Sequence, residues 1–393
     1  MNRIIRELFL LHVLNDGVRT TFVVLLPFIA KDLLLPYTYV GFLGSFQSLA
    51  GTILALPAGF IAARIGGLHL LASLLIIYSL GALGVGFSPN IVLLTIFFAL
   101  GAIGFGMFHT VSYSVVAKSA EKSSVGKLMG DFTSVGDIGR LGLPPLALFI
   151  ASLIGWRMTM FFLAAVGFAT YVFIRFLSPS KDIYKFRRSS NVEHHRDFFK
   201  ITLLLLRIEK LLLILFAAII DSLAGGAMAV FLPFLLLSKG ITSQQLAFVM
   251  GIYFLGSLLG KSLLGRVVDK FGNAKVFVLS ELCMSIILFL LIDTSVIYFI
   301  FFLAIFLGAF TRGTNPVVLT MLAGITDQIH YNKVYAVSEI SITAASTITG
   351  VVMGIVADKA GITTVFYVLA TLAFLAIFPI LPVLFGKIRL NHL

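Results

Sequence analysis

The chain reads as a series of long apolar runs broken at short intervals by small, polar or proline positions. A helix needs about 20 apolar residues to cross the hydrocarbon of a bilayer. Runs of that length predict spans near 7–30, 39–63, 67–88, 91–117, 126–150 and 156–177. After a polar stretch, further spans are predicted near 210–237, 244–267, 274–292, 295–323, 333–357 and 361–386. Breaks fall at Pro36, at Ser88-Pro89-Asn90, at Gly155, at Lys239-Gly240, at Asp293-Thr294 and at Gly361. The runs show no period-two alternation, which sets aside a membrane barrel. The fold class expected is an all-α membrane protein of twelve transmembrane helices in two six-helix repeats. Residues 1–177 would form one bundle, 178–209 a basic linker and 210–393 the second bundle.

Composition supports this reading. Hydrophobic residues make up 59% of the chain and charged residues only 12%. A water-soluble domain carries about 25% charged residues, so lipid is the expected solvent. The net charge of +12 is not a nucleic-acid footprint, because it sits in short loops. Of the 29 Lys and Arg, 20 fall at the termini and in loops after even-numbered spans. Only Lys31, Arg157, Lys239 and Lys359 fall in loops after odd-numbered spans. By the positive-inside rule both termini are expected in the cytoplasm, with the protein in the inner (cell) membrane. Arg3 and Arg6 precede a run holding His12, Asn15, Asp16 and Arg19, which does not read as a cleavable signal. The single cysteine, Cys283, forms no internal disulfide, and no ligand cluster calls for a metal or cofactor.

An internal repeat appears when the sequence is shifted by 206 residues. Leu-Pro-Phe at 26–28 meets Leu-Pro-Phe at 232–234, and Gly59, Arg64 and Gly66 meet Gly265, Lys270 and Gly272. Lys127 meets Lys333, Gly155 meets Gly361 and Phe168 meets Phe374. Two similar bundles can rock about a site between them, the arrangement of many secondary transporters.

The segment Gly265-Arg-Val-Val-Asp269-Lys270-Phe-Gly272 resembles the loop motif of the major facilitator superfamily. In that family the motif lies between the second and third helices of a half and helps latch one conformation. The N-terminal counterpart, Gly59 to Gly66 with Arg64, has Ala63 in place of the aspartate. A narrower likeness is to fosmidomycin-resistance-type efflux proteins. It rests on His12, Asn15 and Asp16, on Phe108-His109, and on Arg312-Gly-Thr-Asn315-Pro316. The run Gly136-Asp-Ile-Gly139-Arg-Leu-Gly142-Leu-Pro144-Pro145 is similar to the glycine-and-proline motif of drug/proton antiporters, with Leu143 where glycine is usual.

Ionisable residues inside spans mark candidate chemistry, because an unpaired charge in hydrocarbon costs several kcal/mol. They are Asp16, Arg19, Asp131, Asp137, Arg140, Asp221, Arg312 and Glu339, with His12 and His109. Helical spacing pairs His12 with Asp16, Asp16 with Arg19, and Asp137 with Arg140. Asp16 and Glu339, then Asp131 and Asp221, are the expected proton-handling carboxylates. His109 is a candidate relay, since imidazole titrates near neutral pH. Arg19 and Arg312 are the expected partners of those carboxylates or the holders of an anionic substrate group. Asn15, Asn315, His12, Asp137 and Arg140 complete the candidate set. A fixed ion pair bracing the bundle is the other reading, strongest for Asp137 with Arg140.

The function expected by resemblance is alternating-access transport: proton-coupled efflux of small drug-like or amphiphilic compounds by a monomer. Proton-coupled uptake or exchange of a small organic anion is the alternative. No nucleophile–base set argues for an enzyme, and no phosphate-binding loop argues for an ATP-driven pump.

Overall fold

The structure is a computed structural model that describes residues 3–119, 125–177, 208–325 and 331–385. The basic linker expected at 178–209 lies outside the described residues except at its last two positions. Every regular element among the described residues is helical. In the N-terminal half the helices are α1 (Arg3–Val24), α2 (Leu26–Leu33), α3 (Tyr37–Ile65) and α4 (Gly67–Phe87). They continue as α5 (Ile91–Gly106), α6 (Phe108–Ser119), α7 (Val125–Ile154) and α8 (Trp156–Val172). The C-terminal half holds α9 (Glu209–Gly225), α10 (Met228–Ser238), α11 (Ser243–Phe271) and α12 (Asn273–Asp293). It closes with α13 (Ile297–Ala323), α14 (Tyr331–Ala360) and α15 (Ile362–Ala376).

Among the described residues, eleven helical stretches are long and apolar enough to cross a membrane. A twelfth is reached when α3, bent by 56° between Tyr37–Ala55 and Pro57–Ile65, is taken as one span. Proline lacks the N–H that would bond to the preceding turn, which accounts for the kink. Several spans consist of two short helices in series, as in Ile4–Leu33 and Glu209–Ser238.

The repeat recurs in the backbone for several helices. Helices α3 and α11 are each 29 residues, α4 and α12 each 21, and α7 and α14 each 30. Their first residues are all separated by 206 positions, as are those of α1 and α9. The turns repeat as well. Gly66 and Gly272 have φ of 94° and 85°, and Gly155 and Gly361 have 85° and 86°. Such angles admit glycine readily and other residues at a cost. Leu34, with φ 52°, stands where Gly240, with φ 82°, stands in the second copy.

By contacts the chain divides into two compact units, Met1–Arg188 with Leu232–Gly251, and Ser189–Phe231 with Ile252–Leu393. In the first, α1 packs along α7, and α4 packs on α5 and α8. In the second, α12 packs on α13 and α15, and α9 on α14 and α15. Close approach relies on small residues, as expected where lipid supplies no hydrophobic drive between helices. A Cβ on Gly260 would lie 2.3–2.8 Å from the Ala309 backbone.

Candidate functional site

The closest helix pair in the first unit carries the chemistry. Helix α7 presents Gly136 and Gly139 to α1. A Cβ at Gly139 would collide with the carbonyl of Val13, and one at Gly136 would lie 2.5 Å from both Asp16 Oδ2 and His12 Nε2. Glycine at these two points lets α1 settle onto α7 and brings Arg140 up to Asp16. The glycine run thus acts as a spacer that assembles the site.

Asp16 is 1% exposed and sits at the centre. Arg140 Nη2 lies 2.7 Å from its Oδ2. His12 Nε2 lies 3.2 Å from Oδ2, and His109 Nε2 lies 3.2 Å from Oδ1. Asn15 Nδ2 donates to Oδ1 at 3.1 Å. Arg140 also holds Asp137 Oδ1 through Nη1 at 2.6 Å. One guanidinium therefore bridges two carboxylates, a fork geometry that lysine would not reproduce.

Proton counting constrains His12. Its Nδ1 lies 2.8 Å from the carbonyl oxygen of Phe132. A carbonyl only accepts, so Nδ1 carries hydrogen. Nε2 then meets Asp16 favourably only when a proton lies between them, on either partner. The His12 ring is stacked on Phe132 at 4.3 Å and meets Phe108 at 5.5 Å and His109 at 5.3 Å between centroids. These rings fix its orientation while His109, 27% exposed, forms the open edge of the cluster.

His12, Asp16 and His109 have ligand atoms close enough together to hold a metal ion. Arg140 argues against that use, because its charge lies 2.7 Å from the carboxylate a cation would need. The donor set fits a proton better.

Other expected residues fall elsewhere. Arg19 acts electrostatically on His109, and the arginine in contact with Asp16 is Arg140 from α7. Asp131 is exposed on α7. In the second unit, Glu339 is exposed on α14, and Asn315 is exposed on α13. Arg312, half-buried on α13, bonds to Tyr253. Of the loop-motif residues, Arg64, Asp269 and Lys270 are exposed, and Lys270 Nζ lies 5.4 Å from the Phe271 ring. Gly59 and Gly265 have no neighbour that a Cβ would touch. Gly66 and Gly272 form the positive-φ turns that follow α3 and α11.

Glu281 is the buried group that spacing rules pass over. It lies on α12 at 0% exposure and interacts with Asp221 of α9. Its signal in the sequence is a lone carboxylate within an apolar run, with no partner one turn away.

The repeat extends to the site. Position 16 corresponds to 222 and position 140 to 346. Where the first copy has the Asp16–Arg140 ion pair, the second has Ser222 Oγ and Ser346 Oγ at 2.7 Å. The same two spans of each half meet at the same level, with charge in one copy and hydroxyls in the other.

The sequence profile described as Major Facilitator Superfamily matches residues 8–220 and again 214–391. The chain belongs to the major facilitator superfamily. That family is one of multi-pass membrane transporters. Among curated proteins the chain is similar to a "Multidrug resistance protein B homolog" of Mycobacterium tuberculosis, at 30% identity over 152 residues. It is also similar to the "Uncharacterized MFS-type transporter YuxJ" of Bacillus subtilis, at 27% over 156 residues. These matches cover 36% and 40% of this chain, but only 28% and 38% of those proteins. Among solved structures, the nucleoside transporter NupG superposes with a TM-score of 0.77 at 14% identity, covering 99% of this chain and all of NupG. A bacterial homolog of the human lysosomal transporter Spinster gives 0.75 at 14% identity, with 98% and 97% covered. At such identity these two structures speak for the fold alone.

Proposed function

We propose that this superfamily member is a proton-coupled exporter of small drug-like or amphiphilic compounds, with Asp16 as its proton-binding carboxylate. The observation that carries the reading is the buried Asp16 held at once by Arg140, His12 and His109. Arg140 faces two carboxylates and balances one. The second is balanced by a proton on the His12–Asp16 axis, or, when that proton leaves, by Arg19 brought up from the same helix. Exchange between those two balances couples proton binding to movement of α1. His109 is the route by which a proton enters, since it alone of the two histidines is partly exposed.

Export rather than uptake is favoured by the name of the Mycobacterium tuberculosis relatives. The charge asymmetry of the loops supports a reading with both termini in the cytoplasm and the protein in the inner membrane. Residues 1–177 and 210–393 act as the two rocking bundles, joined by 178–209, and one chain suffices.

The test is drug susceptibility of an efflux-deficient bacterium expressing the protein, across a chemical panel, beside Asp16→Asn. Resistance that disappears in the variant and with an uncoupler supports proton-driven export. Resistance unaffected by Asp16→Asn removes Asp16 from the mechanism. No resistance to any compound, with the protein shown in the membrane, turns the assignment toward uptake of an organic anion.

A further inference from the structure

We propose that Asp221 and Glu281 together form a second proton-binding site, in which the two carboxyl groups share a single proton. This site lies in the C-terminal half and does not depend on the reading of Asp16.

Glu281 is fully buried within α12, and neither of its oxygens receives a hydrogen bond of standard geometry from any donor among the described residues. The polar group it faces is the carboxyl of Asp221 on α9. Asp221 is half-buried and accepts from Thr314 Oγ1 on α13 at 3.1 Å. Ionised carboxylates only accept, so two of them face to face repel and leave each other unsatisfied. One proton turns one carboxyl into a donor, removes one of the two charges, and gives the Glu281 oxygens the partner they lack. The pair then titrates as a unit rather than as two residues.

Among the described residues, no cation is placed to give the same relief. On α13 the cation is Arg312, which interacts with Tyr253 of α11. On α14 Glu339 is exposed and of the wrong sign, and Asp358 and Lys359 lie in its last turn. On α12 Lys275 is exposed in the first turn, six residues before Glu281. On α15 the titratable residue is Tyr367, whose ring lies 6.0 Å from that of Phe289. On α12 itself Cys283 carries no charge as a thiol. Glu209 and Lys210 are at the start of α9, about three turns from Asp221. A hard metal ion is a poorer fit, because such ions take about six or more oxygen ligands. Here two carboxyls and one hydroxyl are available, and the hydroxyl hydrogen points at Asp221.

The two members differ in access. Asp221 is the half-buried member and the one from which the proton would exchange; Glu281 is the fully buried one that holds the proton by hydrogen bonding. Binding forms one O–H bond on either carboxyl with a proton taken from water, and release returns it.

The test is infrared difference spectroscopy of the purified full-length protein in nanodiscs, titrated from acid to alkaline pH in H2O and D2O. The expected result is a carboxylic-acid C=O band, shifted by D2O, that persists at neutral pH. It is lost in Glu281→Gln and in Asp221→Asn, and kept in Asp16→Asn. Both single variants replace a carboxyl with an amide of the same shape, and thermal unfolding verifies that each is folded. Absence of the band in the wild type at neutral pH overturns the shared proton. So does a band that survives in both amide variants. A thermal stability that rises with Na+, K+ or Mg2+ in the wild type and not in Glu281→Gln also overturns it, by showing a metal cation between the carboxyls. A band lost in Asp16→Asn alone assigns it to the N-terminal cluster and again overturns this proposal, leaving the Asp16 reading intact.

Discussion

Arg140 stands between Asp16 and Asp137 at 2.7 and 2.6 Å, and both carboxylates are almost fully buried. Removing one partner of a buried ion pair typically costs about 3–5 kcal/mol, because a charge is left without a counter-ion. Arg140→Met is therefore expected to lower the unfolding midpoint of the detergent-purified protein strongly. Adding Asp137→Asn to Arg140→Met should recover part of the loss. Equal midpoints for Arg140→Met and wild type would show that the cluster contributes nothing to stability. The sequence already nominates His12, Asp16, His109, Asp137 and Arg140, because each is an ionisable group inside an apolar run. It pairs Asp16 with Arg19, three positions along the same helix, as helical spacing allows. The structure brings Arg140 of α7 to Asp16 at 2.7 Å, and that contact depends on how closely two helices approach, which periodicity along one helix does not contain.

Helix crossings explain what the residues alone do not. Gly139 meets the Val13 carbonyl so closely that no Cβ fits. Gly139→Ala should force α1 away from α7 at a cost of roughly 1–3 kcal/mol, typical of overpacking. Transport should fall more than expression does, because Arg140 is drawn off Asp16. Unchanged transport in Gly139→Ala would mean that the α1–α7 spacing is not critical. The turn after α2 offers the opposite experiment. Leu34 adopts a left-handed backbone that costs a non-glycine residue roughly 1–2 kcal/mol, and its counterpart is Gly240. Leu34→Gly should raise the thermal midpoint by up to about 1 kcal/mol of stability after glycine's greater freedom when unfolded is counted. At this scale the sequence is highly legible, since breaks at Pro36, Gly155 and Gly361 delimit helices as they stand. The bend of α3 at Pro57 is the exception, because its copy α11, with Leu263 there, continues as one span. Arg157, an outlier to the charge asymmetry of the loops, pairs with Asp32 and bonds to the Ser88 carbonyl at 3.1 Å. A local structural role accounts for its position.

Across the whole molecule, a shift of 206 residues relates helix starts, helix lengths and turn geometries. That much is visible in Leu-Pro-Phe and in the paired glycines of the sequence. The divergence of the buried chemistry is not, because matching motifs draws attention to what is kept. The membrane orientation proposed from loop charges predicts that a single cysteine placed at position 190, in a Cys283→Ser background, reacts with an impermeant maleimide only after cells are opened. Labelling of intact cells would reverse the topology.

The contact between Ser222 and Ser346, at 2.7 Å, is short because both side chains are short. It has a consequence for how each half responds to protons. Ser222 Oγ also donates to the Ile342 carbonyl at 2.9 Å, so this crossing is tied by two short contacts that carry no charge. At the matching crossing the long arm of Arg140 reaches two carboxylates at once, so charge there is spread over both helices. The first half thus carries at this crossing a charge that protonation can change, while the second half carries there only hydroxyls, whose bonding is insensitive to pH in the ordinary range.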